Sequence, residues 1–158
     1  NVQIAEQPVK AGDIRGLAEV RRNSSIPVMA DESVHTPKDA LRVIREEAVD
    51  LINIKLMKSG GILKAKKIAA IAESANVPCM IGCMSESAIG VTAGVHLAAA
   101  VKNIQYADLD SDILIQDKLV LKGGTGLSAS KRIPFEKPGL GILQLDEKLL
   151  GKPKKIYK

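Results

Sequence analysis

The sequence predicts an α/β fold whose parallel sheet is part of a (β/α) barrel, and three observations support this. Short apolar runs alternate with amphipathic helical patterns along most of the chain. Polar or ionisable residues recur near the ends of those runs, about every 25 residues, a repeat suited to one βα unit. Aromatic residues make up only 2% of the 158 residues, while 46% are hydrophobic, which favours helices packed closely on a sheet over an aromatic-rich β-sandwich.

The first two units span the N-terminal third of the chain. The run "VQIAE" predicts a strand, and a helical pattern follows from about Asp13 to Asn23. The run "PVMAD" predicts the second strand, and the segment "TPKDA" opens the second helix. Thr36 is suited to cap this helix, with Pro37 in its first turn.

Two further units and a fifth strand complete the repeat. The strand "LINIKL" precedes the helix "GGILKAKKIAAIAESAN", and the strand "PCMIG" precedes the apolar helix "SAIGVTAGVHLAAAVK". The fifth strand is "IQYAD". We expect "DILIQDKLVLKGG" to form a β-hairpin that turns near Gln116 and Asp117, and the residues from Gly139 onwards show no clear periodicity. Four βα units followed by a strand predict parallel pairing with helical crossovers.

The ends of the five predicted strands carry the residues with possible chemistry. These are Glu6, Asp31, Lys55, Cys83 and Asp108. Parallel barrels and open α/β sheets both place their sites at the carboxyl ends of the strands. Because no glycine-rich phosphate loop follows the first strand, we favour a barrel over a nucleotide-binding open sheet.

Lys55 lies in an apolar run, and strand alternation explains its position. Asn53 and Lys55 should face away from Ile52 and Ile54, so that the isoleucines pack under the helices and Lys55 points into the barrel mouth. There it would act as a base, and we expect partial burial and a nearby metal ion to lower its pKa. The ordinary alternative is a lysine that only extends to the rim.

Glu6 and Asp31 follow adjacent strands, so their carboxylates should lie close together. Like charges at short range need a cation between them, and Mg²⁺ prefers oxygen ligands of this kind. Taken singly, each carboxylate could instead be a helix cap or a partner in a surface salt bridge. Glu32 should point away from Asp31 and support the site indirectly at most.

The D-x-D pattern at Asp108 and Asp110 has two interpretations. Both carboxylates lie on one face if the strand continues, which suits a cationic group such as an ammonium. The alternative is a polar strand terminus. His35 is expected in the loop before its helix, and His96 is expected to be a core histidine rather than a ligand.

Net charge, hydrophobic run length and cysteine spacing limit the other functions that the chain could have. The formal net charge is +5, but much of the excess lies in "KPKKIYK", without interleaved aromatic residues, so we do not expect nucleic-acid binding. The chain has no apolar run near the roughly 20 residues that span a bilayer, so we expect a cytoplasmic protein without a membrane partner. Cys79 and Cys83 on one strand would be roughly 13 Å apart, too far for a disulfide, and are expected to be reduced.

Five segments together resemble a known family. The segments "EQP" at 6–8, "ADES" at 30–33, "INIKLMKSGG" at 52–61, "CMIGCMSES" at 79–87 and "DLD" at 108–110 resemble the muconate-lactonizing subgroup of the enolase superfamily. The D-x-D pattern is most similar to the dipeptide epimerases, which include L-Ala-D/L-Glu epimerases. The resemblance implies strands four to eight of a modified (β/α)7β barrel of the triosephosphate isomerase (TIM) type, a bound Mg²⁺ and proton abstraction alpha to a carboxylate.

The resemblance also implies roles for individual residues. Glu6 and Asp31 match two of three metal ligands, and Lys55 matches an acid/base on one face of the substrate carbon. Asp108 and Asp110 match the pair that holds the ammonium group of a dipeptide. The loop with Cys83 and Ser85 lies where the substrate makes further contacts.

Much of such an enzyme would precede residue 1. The resemblance implies an N-terminal barrel half, with the third metal ligand and a second lysine, and a capping domain. We expect residues 1–142 to be the C-terminal barrel part and residues 143–158 to be a basic tail packing toward that capping domain. The isolated chain should be inactive and prone to associate, and the whole enzyme should be a homo-oligomer. Muconate cycloisomerase, o-succinylbenzoate synthase and a non-catalytic half-barrel remain alternatives.

Overall fold

An open parallel sheet of five strands forms the centre of the computed structural model, which describes residues 1–116 and 118–150. The strands follow one another across the sheet in chain order. Their bounds are β1 (Ala5–Glu6), β2 (Val28–Ala30), β3 (Leu51–Lys55), β4 (Cys79–Gly82) and β5 (Ile104–Asp108). All four neighbouring pairs are parallel, which confirms the predicted α/β fold with a parallel sheet.

Helices connect successive strands at nearly the predicted positions. Their bounds are α1 (Ile14–Asn23), α2 (Pro37–Arg45), α3 (Leu56–Ser59), α4 (Ile62–Ser74) and α5 (Ala88–Ala100). At the start of α2, the Thr36 hydroxyl accepts from the Asp39 backbone N–H at 3.2 Å, and the Asp39 carboxylate accepts from the Thr36 N–H at 2.8 Å. This reciprocal pair confirms the predicted cap, with Pro37 in the first turn.

The two faces of the sheet bury different sets of residues. One face packs under the helices and forms the main core, which includes Ile52, Ile54 and Ile81. The other face carries a small separate cluster of Met29, Leu51 and Met80. Asn53 and Lys55 alternate with the isoleucines and therefore share the face of the small cluster, as predicted.

Both edges of the sheet are unpaired within the described residues. β1 pairs only with β2, and β5 pairs only with β4. Residues 105–108 of β5 are all exposed. A closed barrel has no such edges, so the five described strands form an open sheet.

The C-terminal region departs from the prediction. It contains α6 (Ser111–Leu114), β6 (Val120–Gly123), β7 (Thr125–Ser128), β8 (Lys131–Pro134), β9 (Ile142–Leu145) and α7 (Glu147–Leu150). The predicted hairpin is wrong, because its first run forms a short helix and its second run, β6, pairs antiparallel with the distant β9. The hairpin in this region is instead formed by β7 and β8. Alternation within one segment does not reveal which distant segment will pair with it.

Some sequence predictions fall outside these observations. Asp117, at the predicted hairpin turn, and residues 151–158 of the predicted basic tail lie outside the described residues. The boundary after residue 142 stays a prediction. None of the helices within residues 1–116 and 118–150 has the length and apolar character needed to cross a membrane.

Candidate functional site

The strand ends meet along one edge of the sheet, and the register places three of them in a row. Lys55 of β3 pairs with Gly82 of β4, and Gly82 pairs with Asp108 of β5. Asp31 directly follows the last residue of β2. Three of the residues named from sequence, Asp31, Lys55 and Asp108, are thereby brought to one end of the sheet, with Gly82 between Lys55 and Asp108.

Asp31, Lys55 and Lys58 form a partly buried group that we call the ion-pair cluster. Lys55 Nζ donates to Asp31 Oδ2 at 2.7 Å, and Lys58 Nζ donates to Asp31 Oδ1 at 2.5 Å. Lys58 Nζ also donates to the backbone carbonyls of Asp31 at 2.5 Å and Asn53 at 2.9 Å. Both oxygens of the one carboxylate are therefore occupied by ammonium groups.

Burial differs within the ion-pair cluster. The side chains of Asp31 and Lys58 are only 6% and 5% exposed, whereas that of Lys55 is 18% exposed. Lys58 has three acceptors and Lys55 has one. Lys58 is thus the fixed member of the cluster, and Lys55 is the member with room to move.

The pKa values in the cluster follow from the balance of burial and charge. Burial acts to raise the pKa of Asp31, but its hydrogen bonds with Lys55 and Lys58 outweigh burial and lower it. Burial dominates for Lys58 and lowers its pKa. For Lys55, burial acts to lower the pKa, but the hydrogen bond with Asp31 prevails and raises it. In this arrangement Asp31 favours the charged form of Lys55, whereas the expected lowering of the Lys55 pKa involves a nearby metal ion and stays a prediction.

Lys58 was not identified from the sequence. It lies in α3, three residues beyond the end of β3, where a lysine normally extends into solvent. One signal was available, because "KSGG" places two glycines with positive φ directly after it, Gly60 at 74° and Gly61 at 105°. Such a tight turn after one helical turn directs the segment back toward the strand ends.

Gln7 holds the chain that carries Asp31. Gln7 Oε1 accepts from the backbone N–H of Asp31 at 2.9 Å and of Ser33 at 3.1 Å, and Gln7 Nε2 donates to Ser33 Oγ at 2.8 Å. Gln7 itself has a left-handed backbone, with φ at 40°, which is uncommon outside glycine. The loop after β2 is therefore tied to the loop after β1, an arrangement that sequence reasoning also missed.

Glu6 reaches the site through Asn53. The Asn53 amide donates to Glu6 Oε1 at 2.7 Å, and Asn53 is 1% exposed. Its Oδ1 is buried without a hydrogen-bond partner among the described residues. A Cβ at Gly82 would lie 2.6 Å from this Oδ1 and 3.0 Å from Lys55 Cε, so only glycine leaves room for both side chains.

The far side of the site is open. Asp108 and Asp110 are exposed while Leu109 between them is 7% exposed, so both carboxylates point away from the core although β5 ends at Asp108. Cys83 Sγ lies 3.7 Å from Asp110 Oδ1. Ser85 is exposed, and none of the hydrogen bonds of the described residues involves its side chain. We call residues 83–87 and 108–112 the acceptor loops.

The remaining candidates lie as follows. Glu32 is exposed beside the ion-pair cluster, and its negative charge acts to raise the pKa of Lys55. His35 precedes α2, as expected, and His96 lies on α5 with Nε2 buried. Cys79 and Cys83 are both free thiols, as predicted.

A metal site is only partly supplied by these residues. In the described parts of the chain, no cluster of three or more His, Cys, Asp or Glu side chains could hold a metal ion. Glu6 and Asp31 nevertheless provide hard oxygen donors at the ends of adjacent strands, and the partnerless Asn53 Oδ1 adds an oxygen nearby. The donor set fits part of a Mg²⁺ site that further oxygen ligands would complete.

Comparison with known proteins agrees with this geometry. The chain is 52% identical over 141 residues to an L-Ala-D/L-Glu epimerase of Clostridium acetobutylicum, covering 89% of this chain and 39% of that protein. A substrate-liganded complex of the L-Ala-D/L-Glu epimerase from Bacillus subtilis superposes with a TM-score of 0.88 at 44% identity, covering 93% of this chain and 41% of that one. The chain thus spans about two fifths of these relatives.

A dipeptide epimerase from Enterococcus faecalis, complexed with Mg and the dipeptide L-Leu-L-Tyr, superposes with a TM-score of 0.77 at 48% identity, covering 80% of this chain and 36% of that one. The relatives named here are epimerases, which are isomerases. The model of the family described as "Enolase C-terminal domain-like" matches residues 1–149. With nearly the whole chain matched by that model, and the strand-end residues arranged as described, the protein belongs to the enolase C-terminal domain-like family.

Proposed function

We propose that this chain is the C-terminal part of a Mg²⁺-dependent epimerase that removes and returns the proton alpha to a carboxylate of a dipeptide such as L-Ala-D/L-Glu. The observation that carries this is the position of Lys55, whose ammonium group lies at the strand ends between Asp31 and the row of Gly82 and Asp108. The similarity to dipeptide epimerases supports the same reaction.

Lys55 would serve as the acid/base on one face of the substrate carbon. Asp31 raises its pKa, so the resting lysine is charged and ready to donate a proton. Removal of a proton requires the neutral amine. When Lys55 leaves Asp31 its pKa falls, and the ammonium group can then release its proton to solvent. Lys58 remains on Asp31 through its other acceptors, so this movement does not leave the buried carboxylate without a countercharge.

Glu6 and Asp31 would contribute two of the ligands of Mg²⁺. When bound, the ion supplies positive charge beside the substrate carboxylate, which stabilises the negative charge that develops as the α-proton leaves. The remaining ligand would come from the N-terminal half of the enzyme, as would a second lysine on the opposite face of the substrate.

Asp108 and Asp110 would bind the α-ammonium group of the dipeptide. Both carboxylates are exposed at the end of β5, and Gly82 leaves space between them and Lys55. Cys83 and Ser85 would make further substrate contacts from the neighbouring loop, and Glu32 would adjust the charge around Lys55 from outside.

Proton exchange tests the proposed reaction directly. We expect the full-length enzyme with Mg²⁺ to wash deuterium from ²H₂O into the α position of L-Ala-L-Glu, as followed by ¹H NMR. With L-Ala-L-Glu and L-Ala-D-Glu compared, Lys55→Met should slow the exchange of one of the two epimers about a hundredfold to ten-thousandfold, because it removes the proton-transfer group on one face of the α carbon. The exposed Lys66→Met serves as the matched control and should keep the rate. Exchange at the normal rate in Lys55→Met for both epimers would exclude the mechanism.

The substrate class is tested at the D-x-D pair. Asp108→Ala or Asp110→Ala should strongly reduce dipeptide turnover, since each removes a carboxylate from the ammonium site. The substrates of muconate cycloisomerase and o-succinylbenzoate synthase carry no ammonium group, so an unchanged rate in both variants would favour those activities instead.

The isolated 158-residue chain should be inactive, because it supplies only part of the metal site and one of two proton-transfer lysines. A non-catalytic half-barrel would differ from the proposed enzyme in its response to metal. Titration of Mg²⁺ into the full-length protein should raise its melting temperature if the site is functional. No stabilisation would support the half-barrel. The cytoplasmic location and the homo-oligomer stay predictions.

A further inference from the structure

Arg132 joins the C-terminal hairpin to the acceptor loop that follows β5. Its side chain is only 11% exposed, although it comes from β8, outside the parallel sheet. Nε donates to the backbone carbonyl of Leu109 at 2.8 Å. The two terminal nitrogens donate to both carboxylate oxygens of Asp112, one of them at 3.3 Å. One planar guanidinium therefore holds two points of a four-residue segment.

The segment held in this way begins between Asp108 and Asp110, and a second set of hydrogen bonds links it to the neighbouring loop. The ladder between β4 and β5 ends at the pair of Gly82 and Asp108. Beyond it, the Ser111 hydroxyl accepts from the Glu86 N–H at 3.2 Å and donates to the Glu86 carbonyl at 3.0 Å, which ties the two acceptor loops to each other. The Leu109 carbonyl lies between the two acidic residues in the chain, so a shift of that peptide moves both carboxylates.

The hairpin that supplies Arg132 is itself anchored to the core. The backbone N–H of Thr125 in β7 donates to Thr92 Oγ1 at 3.1 Å, and Thr92 is completely buried in α5. β7 and β8 pair along their full lengths, from Thr125 with Pro134 to Ser128 with Lys131. Arg132 thus links the anchored hairpin to the segment that follows β5.

We infer that Arg132 is a positioning residue for substrate specificity: it orients Asp108 and Asp110 toward one point, where they bind the ammonium group of the substrate. This inference rests on the proposed function. Arg132 acts through the segment and does not touch the substrate in this account. Two carboxylates bind one cation tightly only if their orientations are fixed beforehand, since conformational freedom that is lost on binding weakens the affinity.

A KM-against-kcat comparison tests this role in the full-length enzyme. Arg132→Met should raise the KM for a dipeptide about tenfold, because loss of one charge-assisted hydrogen bond weakens binding by roughly a factor of ten. The kcat should stay within about twofold of the unmodified enzyme. Arg132→Lys should recover part of the loss, because one amine can reach only one of the two acceptors. Lys131→Met, at the exposed neighbouring cation on β8, is the matched control and should leave KM unchanged.

A second substrate distinguishes a positioning role of Arg132 from general damage to the enzyme. The N-acetylated dipeptide has no ammonium group, so its KM should be the same in Arg132→Met and in the unmodified enzyme. An equal loss for both substrates, or no change in the KM of the free dipeptide, would overturn the inference. No turnover of free dipeptides by the unmodified enzyme would instead reject the proposed function, and the inference with it.

Asp112→Asn keeps the test decisive if Arg132→Met fails to fold. This variant removes the ion pair but leaves the bond from Arg132 to the Leu109 carbonyl. We expect a smaller rise in KM for the free dipeptide, in the same direction, with faster amide hydrogen exchange confined to residues 109–112. Unchanged KM in this variant would contradict the proposed role.

Discussion

Asp31 and Lys58 expose only 6% and 5% of their side chains, whereas Asp108 and Asp110, at the end of the same sheet, are open to solvent. The ion-pair cluster is held by charge-assisted hydrogen bonds of 2.5 to 2.7 Å at the carboxyl ends of β2 and β3. The acceptor loops extend beyond the last paired residues and depend on a few bonds from Ser111 and Arg132.

This difference matches the two tasks that the proposed reaction needs. Proton transfer requires a precise position for the acid/base, and buried charges with satisfied partners give that precision. Substrate binding requires entry and exit, which exposed loops allow. In the proposed reaction, the acid/base would thus lie beside the buried ion pair, and the carboxylates that would bind the substrate lie where solvent can reach them.

The largest effect is expected when Lys58, the buried cation of the ion-pair cluster, is removed. Lys58→Met should destabilise the full-length enzyme by about 3–5 kcal/mol, because Asp31 loses a buried charged partner and the Asn53 carbonyl loses its side-chain donor. Chemical denaturation followed by circular dichroism gives the free energy of unfolding. Lys66→Met, on the exposed face of α4, should change it little. Equal stability of the two variants would mean that the cluster is not a structural anchor.

The next test concerns Gly82, which lies between Lys55 and Asp108. Gly82→Ala should cost about 1–3 kcal/mol of stability through overpacking, because the new Cβ would lie 2.6 Å from Asn53 Oδ1. The displaced Lys55 should also lower kcat. Gly12→Ala is the matched control, since a Cβ there meets nothing within 4 Å. Normal kcat in Gly82→Ala would show that Lys55 does not need this space.

A smaller effect is expected in the acceptor loops. Ser111→Ala removes the hydroxyl that ties the two loops together and should cost about 1 kcal/mol of stability. Ser85→Ala should leave stability unchanged, because none of the described hydrogen bonds uses its side chain, yet it should weaken substrate binding. Thermal unfolding and KM measurements distinguish the two serines. A reversed order of stability would contradict the description of the loops.

The smallest perturbation is chemical labelling of the two cysteines, which leaves the fold unchanged. Burial raises the pKa of the Cys79 thiol to about 12, despite the hydrogen bond from Asn103, whereas Cys83 is partly exposed in an acceptor loop. Iodoacetamide at neutral pH should therefore modify Cys83 alone, since the thiolate is the reactive form. Peptide mass mapping identifies the site. Labelling of Cys79 in the folded enzyme would show that the core under α5 opens readily.

Local pattern was sufficient for the parallel core. Alternation placed Lys55 opposite the isoleucines of its strand, and the cap at Thr36 and the helical pattern from about Asp13 marked where the first two helices begin. These features depend on neighbouring residues, so the sequence contains them directly. The prediction of a hairpin at residues 112–124 was wrong for the converse reason. β6 pairs with β9, about twenty residues away, and the alternation within β6 does not reveal that partner.

The sequence by itself determined the α/β repeat, the carboxylates and lysine at the strand ends, and the family to which they belong. Only the tertiary structure decided which of these groups touch. It places a second, buried lysine on Asp31, lets Asp31 raise the pKa of Lys55, and ties Arg132 to the Leu109 carbonyl between Asp108 and Asp110. These contacts join residues 20 or more positions apart, and their strength depends on burial, which is a property of the folded chain.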